Sequence, residues 1–247
     1  MPATPAWPPK SLPRLFVREP LAAGVEVELD GGHANYLGNV LRLGPGAELL
    51  IFDGVSGEWL ASISKAGKRE MTLLVERLTR EAESIPDLWL AFAPVKRAQT
   101  DWLVEKATEL GVARLIPVLT QRTIAERVRL ERLQKIAIEA SEQCGRTRVP
   151  EIPEPMPLRN FIEERDPDRR FYFADEEGGE PPARTYVEGP GVILIGPEGG
   201  FTQEERALVR SSGASAISLG PRILRAETAA VAAVSAYMAI AGDWRTN

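Results

Sequence analysis

The chain carries one cysteine, Cys144, and one histidine, His33, among 247 residues. A single thiol excludes an intrachain disulfide, and the pair cannot build a Cys/His zinc cluster, so any metal would need carboxylates alone. Long apolar runs are missing too: Ala229–Ala241 is very apolar but shorter than the roughly 20 residues of a membrane helix. The proline-rich Met1–Arg14 has no apolar centre of the kind a secretory signal needs, so a cytoplasmic protein with no membrane partner is expected. Neither G-x-x-x-x-G-K-S/T nor G-x-G-x-x-G occurs, which leaves a P-loop phosphotransferase or an ordinary dinucleotide fold without its phosphate loop. What is present is 44% hydrophobic and 26% charged, enough for a sizeable core in one large or two smaller domains.

The net charge of −5 hides a segregation along the chain. Residues 1–80 balance nine basic against nine acidic side chains. Residues 96–150 hold eleven basic residues, Arg127 among them, against seven acids, and residues 151–190 hold eleven acids against five arginines. The middle stretch is a candidate surface for a polyanion, and the acidic stretch reads as a solvated, loop-rich face.

Residues 15–80 alternate short apolar segments with Asp-Gly and Gly-Pro-Gly punctuation: Leu15–Arg18, Val25–Leu29, Glu48–Phe52, Trp59–Ser64 and Met71–Leu78. That spacing predicts a small antiparallel β-barrel. Between its second and third strands, His33–Arg42 has the apolar spacing of a short helix. His33, Tyr36 and Arg42 there either touch RNA or serve locally, His33 as a helix cap and Arg42 as plain surface. After a polar linker over 81–87 the pattern changes to alternating strands and helices. Strands are expected at Leu88–Ala93, Leu115–Leu119, Phe171–Ala174, Val192–Ile195 and Ala216–Leu219. Helices are expected at Thr100–Leu110, Glu126–Gln143, Leu158–Glu164, from Thr202, and over Glu227–Ala241. The alternation predicts an α/β domain with a mostly parallel sheet covered on both faces.

The organising stretch is Val192–Gly242. Two aliphatic strands each break at glycine, at Gly196-Pro197-Glu198-Gly199-Gly200-Phe201 and at Gly220, so backbone groups lie open at their carboxyl ends. Open α/β sheets bind ligands at that edge. Thr202 followed by Glu205 forms a capping box, so the first loop runs directly into a helix N-terminus.

Several stretches together resemble one known family: Ile195–Phe201, Leu219–Ala229, Lys106–Gly111, Glu139–Arg146 and, near the N-terminus, His33–Arg42. They are similar to the ribosomal RNA small subunit methyltransferase E family over about Arg14–Gly242. The resemblance implies an extended or disordered N-terminus over 1–14, a PUA-like β-barrel over 15–80 and a SPOUT methyltransferase domain over 88–247. The chain would be knotted as a trefoil over about 192–242. It implies a homodimer that transfers methyl from S-adenosyl-L-methionine to N3 of one uridine (U1498 by family convention) in 16S rRNA of the small ribosomal subunit. Cofactor contacts then fall on Leu194, Ile195, Gly196, Gly199, Gly200, Leu219, Gly220, Ile223, Leu224 and Arg225. RNA contacts fall on His33, Arg42, Lys96, Arg97, Arg122 and Arg146, the last two binding phosphate or lining the dimer site, and catalysis falls on Arg225, Glu198 and Glu227. Departures from the family pattern are Gln99 in place of a basic residue, Leu133 in place of a tryptophan, and a short Thr120–Leu133 segment.

The residue types suit that chemistry. A sulfonium methyl is already electrophilic, so alignment is the protein's main task. Uridine N3 must lose a proton, and the charge then gathering on its carbonyl oxygens suits the Arg225 guanidinium, with Glu198 or Glu227 accepting the proton or orienting the arginine. The bland alternative is an Arg225–Glu227 ion pair at a helix start. A catalytically inactive RNA-binding or ribosome-assembly module is the competing reading of the whole chain.

Overall fold

The computed structural model describes residues 12–67, 70–124 and 128–246. Expectations for the first eleven residues, for Arg127 and for the start of the Glu126–Gln143 helix lie outside the described residues. The chain divides into two compact units, Met1–Glu83 with Gly145–Arg148, and Ser84–Cys144 with Val149–Asn247.

The first unit contains β1 (Arg14–Phe16), β2 (Glu26–Leu29), β3 (Glu48–Phe52), β4 (Glu58–Ala66) and β5 (Met71–Arg80), in the order β1-β3-β4-β5-β2. The sheet is antiparallel apart from β1, which pairs parallel with β3. Parallel neighbours need a long connection, and the chain supplies one through β2 and the turn that follows it. Alternate residues Leu49, Ile51, Ala61, Ile63, Leu73 and Val75 are buried at the two-residue period of a one-sided sheet. Register shifts between β4 and β5 bend the long hairpin around this core.

The predicted short helix is α1 (Gly31–Asn35) running on into one π-helical turn over Tyr36–Val40. Its cap is Asp30, which accepts from the backbone N–H groups of Gly32 and His33, so His33 is not the cap. Arg14 is not in a loose terminus but opens β1, and its Nε lies 2.7 Å from Glu58 Oε2. Arg80 Nη2 reaches the same oxygen at 3.3 Å.

The second unit holds β6 (Leu88–Phe92), β7 (Arg114–Leu119), β8 (Met156–Pro157), β9 (Arg170–Ala174), β10 (Gly191–Ile195) and β11 (Ser215–Ile217). They form one sheet in the order β11-β9-β10-β6-β7-β8, and each neighbouring pair is parallel. Six α-helices accompany it among the described residues, with a 3-10 turn at Asp243–Thr246: α2 (Arg97–Glu109), α3 (Leu130–Cys144), α4 (Leu158–Glu164), α5 (Pro182–Thr185), α6 (Gln203–Ser211) and α7 (Ala226–Ile240). Strand β10 is buried along its whole length, as its unbroken Val-Ile-Leu-Ile run requires of a central parallel strand. Ile193 and Ile195 pack with Val104, Ala137 and Val234 from α2, α3 and α7. Val192 and Leu194 face the other way, toward Phe161 and Val209 from α4 and α6.

The Glu58 carboxylate is largely buried with Arg14 and also meets the more exposed Arg80, so removing it takes an anionic partner from both and leaves them only backbone carbonyls among the contacts described. Glu58→Ala is expected to cost about 3 kcal/mol of stability, measured by urea unfolding. A loss within experimental error would show that the cluster is hydrated and contributes nothing.

Candidate active site

Three loops leave the carboxyl ends of neighbouring parallel strands and enclose a cavity of about 340 Å³. Asp175–Gly178 follows β9, Gly196–Phe201 follows β10, and Ser218–Leu224 follows β11. Ala226 and Ala229 of α7 complete the wall. The middle loop is shaped by its glycines. Gly200 sits at φ +66°, and a Cβ there would run into the Glu176 carboxylate. The capping box at the start of α6 is complete: Thr202 N–H donates to Glu205 Oε2 (3.0 Å), and Glu205 N–H donates to Thr202 Oγ1 (3.2 Å). The other Glu205 oxygen accepts from Gln121 N–H at 2.7 Å, and Arg122 Nη1 donates to Gly199 O at 2.7 Å. The loop after β7 thus buttresses the loop after β10.

Of the residues expected at the cofactor, Ile195, Gly196, Gly200, Leu219, Gly220, Ile223 and Leu224 line the cavity, and so does Glu198. Leu194 is fully buried inside β10 and packs on the opposite face from Ile195. Gly199, Arg225 and Glu227 are not among the lining residues. Arg225 is an exposed residue at the start of α7. Glu227 is half-buried, and its Oε2 is enclosed without a hydrogen-bond partner among the described residues. No Arg225–Glu227 ion pair forms among the described residues. The cavity arginine that sequence reasoning missed is Arg222.

The Asp175-Glu176-Glu177 wall was missed as well. Read as part of a solvated acidic face, it is instead built into the site. The Asp175 side chain is inaccessible and lies 3.1 Å from Arg206 Nη1 and 2.6 Å from Arg210 Nη2. Arg206 also reaches Glu176 at 2.9 Å and Glu177 at 2.6 Å. Burial works against charge on Arg206, but its hydrogen bond to Glu177 and the charge of Asp175 hold its pKa above the ordinary arginine value. Glu204, at the entrance to α6, is held below its ordinary value by its own backbone N–H, by Thr202 and by the charge of Arg122. The sequence signal was available: an Asp-Glu-Glu-Gly-Gly run directly after a predicted strand, at the ligand edge of the sheet.

The residues expected to meet RNA divide by exposure. Lys96, Arg97 and Arg122 are exposed, and His33 is half-buried with Nδ1 3.4 Å from Asp30 Oδ2. Arg42 is exposed and closes the π-helical turn at φ +58°, the one non-glycine residue with positive φ among the described residues. Arg146 stands differently. It is only 5% exposed, with Nε 3.4 Å from Glu83 Oε1, and its carbonyl accepts from Arg14 Nη2. A guanidinium held inside the fold is not presented to phosphate, and Arg146 leaves the list of surface cations.

The chain matches the RNA methyltransferase domain family over residues 82–238 and the RNA methyltransferase PUA domain family over residues 29–76. Fold and site therefore define an RNA methyltransferase of two-unit construction. It is 32% identical to the ribosomal RNA small subunit methyltransferase E of Rickettsia conorii, over 90% of this chain and 93% of that one. Against the Synechocystis enzyme of that name identity is 31%, over 92% of this chain and 77% of the relative. The crystal structure of the Neisseria gonorrhoeae protein of that name, bound to S-adenosyl methionine, superposes with a TM-score of 0.86. It is 30% identical, covering 94% of this chain and 99% of that one. The chain belongs to the ribosomal RNA small subunit methyltransferase E family.

Gly200→Ala forces a side chain into left-handed backbone and against Glu176. It is expected to cost at least about 1–2 kcal/mol, with faster amide exchange across Glu198–Thr202 than in the native protein. Unchanged exchange would mean that the loop has room to spare.

Proposed function

We propose that this protein transfers the methyl group of S-adenosyl-L-methionine to N3 of one uridine of 16S rRNA, U1498 in the family convention. The observation that carries the reading is the three-loop cavity at the carboxyl ends of β9, β10 and β11, in a chain whose relatives carry the methyltransferase name. Its lining suits the cofactor. Ile195, Leu219, Leu224, Ala226 and Ala229 offer apolar surface for a purine, and Gly196 and Gly220 leave backbone groups open to its edge. Asp175, Glu176 and Glu177 outnumber the two arginines that meet them, Arg206 and Arg210, and this wall with Glu198 offers net negative charge for a sulfonium and an ammonium group. Bound there, S-adenosyl-L-methionine supplies an activated methyl group.

The chain's own task is to align the base and move one proton. For a uridine to accept a methyl group its N3 proton must leave, and the Glu198 carboxylate, exposed on the cavity wall, would accept it. Glu227 lies away from the lining and suits an orienting role better. Charge spreading onto the uridine O2 and O4 would be met by a guanidinium, either Arg225, exposed at the start of α7, or Arg222 of the cavity wall. The chain is proposed to thread a trefoil knot over about 192–242 and to work as a cytoplasmic homodimer. The half-buried Ala232 and Ala236 on α7 suit close helix packing.

Labelled S-adenosyl-L-methionine and small subunits from a strain lacking this protein provide the test. We expect 3-methyluridine in the digested rRNA. Label on another nucleoside would overturn the assignment of base, and RNA binding without transfer would favour an assembly module. Arg225→Ala should lower turnover at least about 100-fold, in the range of a lost transition-state donor, with RNA affinity changed little. Parallel assay of Arg222→Ala decides which guanidinium carries the role, since only the catalytic one will show that split.

A further inference from the structure

A second cavity, of about 410 Å³, shares no lining residue with the first. Its floor is apolar, made by Val95, Val128 and Leu133 with the 61%-exposed Ile124 at its edge. Its rim is cationic: Lys96, Arg97 and Arg129 are exposed and have no acidic partner among the described residues. The fourth cation, Arg132, is held by both oxygens of Asp101, at 2.6 to 3.1 Å, so the one acid among the described residues of the rim is already neutralised. Thr100 stiffens the floor: its hydroxyl accepts from Val95 N–H and donates to Val95 O.

Topology sets this cavity on the same edge of the sheet as the first. Pro94–Lys96 follows the carboxyl end of β6, and Ile124, Val128, Arg129 and Leu133 come after that of β7. Since β6 neighbours β10 and β10 neighbours β9, the two cavities lie two to three strand spacings apart, roughly 10–14 Å. Three or four stacked nucleotides cover that span at about 3.4 Å each. An apolar floor inside three cations unpaired among the described residues fits a planar base carried on a phosphodiester, and its volume falls within the roughly 300–1,000 Å³ of ligand cavities.

Resting on the reading of the first cavity as the site of methyl transfer to RNA, we propose that the second receives one unpaired nucleotide of the same RNA strand. Its base lies on Val95, Val128 and Ile124, and its phosphates lie on Lys96, Arg97 and Arg129. The enzyme grips the strand a few nucleotides from the acceptor uridine and so sets which base reaches the methyl group.

The test uses the full chain with two fluorescein-labelled RNA decamers, one of uridines and one with abasic sites at every position, read by anisotropy. The native protein should bind the uridine decamer several-fold more tightly. Val128→Trp fills the cavity and leaves the cations in place. It should abolish that preference while binding the abasic decamer as before, and Ile124→Glu should abolish the preference as a second route. The triple variant Lys96→Ala, Arg97→Ala, Arg129→Ala should reduce the salt slope for both RNAs by about 2, near 0.7 per lost single-strand contact. Calorimetric affinity for S-adenosyl-L-methionine, equal in all variants, confirms that the fold is intact. Equal binding of both decamers by the native protein would reduce the site to a phosphate contact and overturn the proposal. Unaltered RNA binding with an altered sedimentation coefficient would assign the cavity to a second copy of the chain, and also overturn it. If subunits are methylated normally while these variants behave as native, the second cavity alone is wrong; absence of methylation by the native protein sinks the reading beneath it.

Discussion

The carboxylate of Glu205 ties together the segments on which the cavity depends. One oxygen closes the cap of α6 through Thr202 N–H, and the other accepts from Gln121 N–H in the loop after β7. Arg122 then reaches from that loop to Gly199 O. A glycine-rich loop has high conformational entropy when free. Here its two ends are held, by the buried β10 before it and the capped α6 after it, and Arg122 holds its middle. The cavity is preorganised by groups that do not line it.

Charge follows the same plan. The acids of the 151–190 stretch are not spread evenly over solvent: Asp175, Glu176 and Glu177 gather at one wall of the cavity and are met by Arg206 and Arg210. Because opposite charges are paired across two elements, the wall keeps its shape while Glu198 stays exposed at the opening. The cations of the 96–150 stretch divide too. Arg132 and Arg146 are engaged by Asp101 and Glu83, whereas Lys96, Arg97 and Arg129 remain open to an anion. A net charge of −5 is thus compatible with a polyanionic partner.

Much of the fold was legible in the sequence because local chemistry decides it. The Val-Ile-Leu-Ile run of β10, the Thr202–Glu205 cap and the alternation in β3 through β5 each state their structure within a few residues. The parallel pairing of β1 with β3 was not legible, since pairing partners depend on how a long connection folds back. The role of Asp30 as the cap of α1, in place of His33, turned on which side chain could reach two free N–H groups.

For the site, residue order shows which loops are glycine-built and where strands end, and so locates the ligand edge of the sheet. Backbone conformation near glycine and proline is a local property, and local properties can be read in order along the chain. Which side chains face that edge is settled by the packing of the folded chain. It placed Arg222 and the Asp175–Glu177 wall on the cavity, turned Leu194 into the core and withdrew Arg146 from the surface, although all four were visible as residue types. Facing is set by the register of strands and the packing of helices from distant parts of the chain, so no single stretch contains it.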